Sequence, residues 1–116
     1  MFRTLAIKGS IVAFALAASA GIAHAQDAAQ VKKGAGVYTA QKCSMCHAIA
    51  GKGNKTNPLD KVGTKLTAAD IRAWIVTPTE ATAKAKSTKK PPMPAKYGKL
   101  PAGDIDALVA YMLSLK

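Results

Sequence analysis

Both cysteines of this 116-residue chain lie three positions apart, in Lys42-Cys43-Ser44-Met45-Cys46-His47-Ala48. A histidine follows the second of them directly. Two thiols so close cannot staple distant parts of a fold together, so whatever they do, they do within one turn of backbone.

The first residues carry Arg3 and Lys8, then a run from Ile11 to Ala23 that is apolar or small, then Ala23-His24-Ala25. This pattern predicts a secretory signal peptide over residues 1–25, cleaved before Gln26. The alternative, an uncleaved membrane anchor, needs roughly 20 predominantly apolar residues. The run is shorter than that and rich in Ala, Gly and Ser. Export to the periplasm, with no transmembrane anchor after cleavage, is the expectation. In such an oxidising compartment a lone cysteine pair could also end as a disulfide.

Residues 26–116 suffice for a single domain with a modest core. Their only aromatics are Tyr38, Trp74, Tyr97 and Tyr111. The core looks underfilled by side chains alone. Two of the 17 basic residues leave with the leader, so 15 face 6 acids and the net charge is +9. That excess favours acidic partners or anionic surfaces. Nucleic acid is not expected, because the aromatics are not interleaved with the lysines and export separates the chain from genomic DNA.

Three main helices separated by long loops fit this stretch, and no strand pattern, repeat or second domain is visible; the expected class is all-α. The first helix runs from about Ala28 to Lys42, with Val31, Val37 and Tyr38 apolar. Gly34 and Gly36 cost helix propensity there, which points to close approach by another backbone. Residues 50–65 read as loop. Thr67 with Asp70 three residues on, and Leu66 before the cap able to pack on Ile71, open the second helix. Thr77-Pro78 closes it. Residues 78–100, with four prolines, six lysines and Met93, show no period and read as one long functional loop. Ile105, Leu108, Val109, Met112 and Leu115 line one face of a last helix over about 101–115.

Four chemistries use C-x-x-C. Structural zinc wants four ligands, yet once His24 leaves with the leader the chain has only Cys43, Cys46 and His47. A thioredoxin-like dithiol belongs in an α/β pattern, which is missing here. A disulfide across so small a loop removes little unfolded-state entropy and leaves His47 unexplained. The fourth chemistry accounts for all three residues. Cys43 and Cys46 form thioethers with a porphyrin, and His47 binds its iron; C-x-x-C-H is the attachment signature of c-type haem. A haem also supplies apolar filling.

A second axial ligand must then come from Met45, Met93 or Met112 if the iron is to be closed. Met45 is trapped between the two attached cysteines, and Met112 lies on the apolar stripe of the last helix, where a methionine fills gaps. Met93 stands outside any helix among Pro91, Pro92 and Pro94, which restrict its backbone before any bond is made. It is the expected axial ligand.

Taken together, these features resemble a small single-haem cytochrome c of the His/Met-ligated kind. Gly34 with Tyr38 is similar to the family's Gly and aromatic on the first helix, Cys43 to His47 to its haem motif, Met93-Pro94 to its methionine loop. Leu108 to Met112 resembles its last helix, although Pro101 stands where a capping Ser or Thr is usual. The resemblance implies the cytochrome c fold around one covalently attached haem c. It implies that the carbonyl of Pro58 accepts the other ring proton of His47, and that Trp74 packs at the haem edge. The implied function is a one-electron carrier and not an enzyme. Lys84, Lys86, Lys89, Lys90, Lys96 and Lys99 flank the methionine loop and are expected to dock acidic redox partners, with the chain a monomer or a subunit of a redox complex. A haem enzyme or gas-binding protein with an open sixth site, or a haem-free disulfide protein, are the alternatives.

Overall fold

The computed structural model of the protein describes residues 19–116. The leader expected over residues 1–25 falls mostly outside the described residues. Helix α1 (Ser19–Ala40) is followed by a 3-10 turn (Cys43–Met45) and a hairpin of two short antiparallel strands, β1 (Ala48–Ile49) and β2 (Lys52–Gly53). Then come α2 (Val62–Lys65), α3 (Ala68–Val76), α4 (Pro78–Ala85), a second 3-10 turn (Ala95–Lys99) and α5 (Ala102–Ser114). The fold is the expected all-α architecture, with the hairpin as its only sheet among the described residues. No described helix is long and apolar enough to cross a membrane.

The crossing of α1 and α5 organises the domain. A Cβ placed on Gly34 would lie 2.0 Å from the carbonyl oxygen of Ala107 and 2.6 Å from Cβ of Tyr111, so only glycine lets the two backbones meet here. Ala107 opposite it is fully buried. Gly36 has open space around its Cα, so the close approach expected of both glycines belongs to Gly34 alone. One turn along, Tyr38 meets Tyr111 edge to face, with centroids 5.8 Å apart and planes at 72°. Lys33 reaches Asp104 at 3.6 Å across the same crossing.

The core gathers Tyr38 from α1, Ile71 and Ile75 from α3, and Ile105, Leu108, Val109 and Met112 from α5. Helix α3 begins as its sequence predicts. Thr67 accepts from the Asp70 backbone while the Asp70 carboxylate accepts from the Thr67 backbone, a reciprocal cap. Arg72 pairs with Asp106 and fastens α3 to α5. Pro101 provides α5 with no side-chain cap; Asp104 in the first turn sits where a negative charge complements the helix dipole.

Residues 78–100 are not one loop. Pro78 ends α3 but also opens α4, because a proline at the first helical position gives up an N–H that has no partner there anyway. Glu80 in the first turn and Lys84 in the last suit the dipole. The face that α4 buries consists of Pro78 and Ala81, both small, so no hydrophobic period betrays the helix. Similarly, residues 50–65 contain the end of the hairpin and the single turn α2, tied down by the Gly63 N–H donating to the Leu115 carbonyl at 2.8 Å.

Candidate functional site

The Cys43–His47 segment leaves α1 through Lys42, whose φ of 55° is left-handed. The 3-10 turn follows, and the His47 N–H donates back to the Cys43 carbonyl at 3.0 Å. The turn separates the two thiols. Cys43 is half-buried and packs against the core, whereas Cys46 is exposed, and both are free. Burial pushes the Cys43 thiol above its ordinary pKa, while Lys96 works in the opposite direction. Met45 between them is 70% exposed, so it belongs neither to the core nor to any buried ligand set.

His47 is half-buried, and its Nδ1 lies 3.1 Å from the carbonyl oxygen of Asn57. A carbonyl can only accept, so Nδ1 carries the proton and Nε2 keeps its lone pair. Burial lowers the imidazole pKa, partly opposed by the Asn57 bond, which favours the neutral ring that a metal ligand must be. The acceptor is therefore Asn57, one residue before the Pro58 that the resemblance implies. The cause is a parallel bridge between Ala48 and Pro58, in which the Ala48 N–H donates to Asn57 at 3.3 Å and the Leu59 N–H to Ala48 at 2.8 Å. That register turns the Asn57 carbonyl toward the segment bearing His47. Pro58 contributes the rigid backbone after it.

Asn54 holds the segment from the other side. Its N–H lies 3.0 Å from the carbonyls of both Ser44 and His47, and its Nδ2 donates to the Met45 carbonyl at 3.2 Å. Its Oδ1 accepts from the Thr56 N–H at 3.0 Å, closing the turn toward Asn57. The approach depends on Gly53, where φ is +108° and a Cβ would fall 2.2 Å from the His47 carbonyl oxygen. Asn54 escaped the sequence reading, since one Asn in a run of turn residues looks like any other. Gly53 beside it was the available signal.

Met93 is half-buried and packs on the same core cluster as Cys43, from the segment between α4 and the second 3-10 turn. That turn lies against α3: a Cβ on Gly98 would come within 2.8 Å of the Val76 carbonyl oxygen. Trp74 is half-buried on α3, and Tyr97 is half-buried with Lys96 Nζ 5.2 Å from its ring centroid. Of the other expected docking lysines, Lys84 lies 3.8 Å from Asp70 and Lys89 donates to the Thr56 carbonyl at 3.0 Å. Lys86, Lys90 and Lys99 are exposed.

This donor set fits a covalently attached haem. Two unbridged thiols flank a turn, the adjacent imidazole has its Nε2 lone pair uncommitted, and a thioether comes from a separate segment. Leu59, Val62, Leu66, Met93, Tyr97 and Leu100 are apolar side chains that the protein covers only in part, as the margin of a core completed by an apolar group would be. No curated protein and no solved structure gives a significant match to the chain. The sequence profile of the Cytochrome c family, however, matches residues 31–116, which takes in the haem motif, the methionine segment and every helix from the glycine crossing onward. On that match the chain belongs to the cytochrome c family, whose covalently bound haem c and electron-carrying role it shares.

Proposed function

We propose that the protein is a periplasmic one-electron carrier whose haem is held by thioethers at Cys43 and Cys46 and by His47 and Met93 as axial ligands. When bound, the haem supplies a one-electron couple at its iron, and ligation by His and Met favours the reduced form. The observation that carries the reading is the His47 bond to Asn57, which fixes both the tautomer and the direction of the ring. Prolines 91, 92 and 94 restrict the backbone around Met93, so less freedom is lost when the weak thioether ligand is engaged. Half-buried Trp74 is read as packing at the haem margin.

The lysines at 84, 86, 89, 90, 96 and 99 are the docking surface of this reading. Lys96 is exposed with its Nζ 5.2 Å from the ring centroid of Tyr97, which packs on the same core cluster as Cys43, and this supports a cationic rim there. An acidic donor or acceptor would be steered there by charge in a small, transient and salt-sensitive contact. With both axial positions taken by side chains, the role proposed is a shuttle and not an enzyme.

The test is the ferric near-infrared spectrum of the exported product. A methionine-to-iron charge-transfer band is expected in the natural protein and should be abolished in Met93→Leu, which should also bind external ligands such as cyanide or imidazole more readily. If the band is absent from the natural protein, the iron is open and the chain is better read as an enzyme or gas-binding protein. An intact mass equal to the polypeptide from Gln26 plus one haem would establish both processing and attachment.

A further inference from the structure

Lys89 lies far along the chain from the haem motif, in the segment leading to Met93, yet its Nζ donates to the carbonyl of Thr56 at 3.0 Å. Thr56 is the residue before Asn57, and the Asn57 carbonyl is the acceptor for Nδ1 of His47. The Thr56 N–H is itself held by Asn54 Oδ1. Residues 54–57 are thus fixed at their start by Asn54 and in their middle by Lys89, and they end on the carbonyl that directs the imidazole.

We propose that Lys89 is a positioning residue for His47, tying the methionine segment to the loop whose carbonyl orients the imidazole. The inference rests on the reading of His47 as an iron ligand. Loops with few buried apolar contacts open locally at small free-energy cost, and a charge-assisted bond from a distant segment raises that cost. A firm Nδ1–H bond makes the imidazole a more basic ligand. Loosening the loop should weaken that bond and favour ferrous iron. Losing a nearby positive charge acts the other way, because cations stabilise the less positive, reduced state.

The two effects separate with three variants of the haem-loaded protein. Lys89→Met removes both the charge and the donor, Lys89→Arg keeps both, and Lys55→Met removes an exposed charge from the 54–57 loop that Lys89 reaches. In the ferrous state, proton NMR should show the His47 Nδ1–H exchanging with solvent several-fold faster in K89M than in the natural protein, near the natural rate in K89R and K55M. The reduction potential of K89M should lie above that of K55M. If K89M matches K55M in both exchange and potential, or if K89R behaves like K89M, the positioning role is overturned. Ring-current-shifted His47 protons in the natural protein test ligation separately; without them the reading of His47 falls before any Lys89 variant is compared.

Discussion

Where α1 crosses α5, backbone meets backbone at Gly34 and Ala107, two tyrosines lock edge to face beside them, and close packing holds the joint with one partly exposed ion pair, Lys33 to Asp104, at its edge. The Met93 side is held differently. There the chain runs through three prolines, and its ties are a lysine to a carbonyl, one half-buried thioether and a glycine laid against α3. The crossing is close-packed and cannot absorb an added atom, whereas the methionine side is held by few polar bonds and by side chains that the protein covers only in part. A domain of this size with four aromatics concentrates its packing in one joint and leaves the other side to be completed by what it binds.

That contrast can be broken at its strongest point. Gly34→Ala adds a methyl group where the Ala107 carbonyl already stands, and since neither backbone can retreat, destabilisation should reach or exceed the about 1–3 kcal/mol typical of overpacking. Urea unfolding would measure it. A loss under about 0.5 kcal/mol would mean that the two helices are not in contact here.

A smaller but more local effect is expected at Gly53→Ala, where a positive φ and the His47 carbonyl both oppose a side chain. Strain of about 1–3 kcal/mol should appear, and it should fall on the haem motif. The sharp readout is the fraction of chains carrying covalent haem, which should drop for Gly53→Ala more than for Gly36→Ala, a position with open space.

The mildest change sharpens the view of the crossing itself. The hydroxyl of Tyr38 is buried with no hydrogen-bond partner among the described residues, and burial pushes its pKa up to about 12 from 10.0. Tyr38→Phe should therefore stabilise the protein by about 1 kcal/mol. The sign with pH follows from the raised value. Stability from keeping the phenol protonated is complete below pH 10 and is lost as pH rises from there through about 12. Denaturant titrations at pH 9 and pH 11 should show a steeper decline for the natural protein than for the phenylalanine variant.

The sequence was most informative where a signal is local. Thr67 and Asp70 are three residues apart and their reciprocal cap forms as expected; the Ile105 to Met112 stripe is one helix face and is buried. Helix α4 was missed because its buried face is Pro78 and Ala81, too small to register as a hydrophobic period. Gly36 was grouped with Gly34 since spacing alone cannot tell which glycine another helix will touch.

By itself the sequence determined the attachment turn and its chemistry, since two thiols and an imidazole within five residues need no tertiary contact to be recognised. It also determined the helical class and singled out Met93 through its prolines. Only the tertiary structure decided that Asn57 and not Pro58 receives the imidazole proton, that Asn54 fastens the haem turn, and that Lys89 reaches Thr56. The reason is physical: nearly every one of those bonds ends on a backbone carbonyl, which every residue owns, so the identity of the acceptor is set by where the chain passes and not by which amino acid is there.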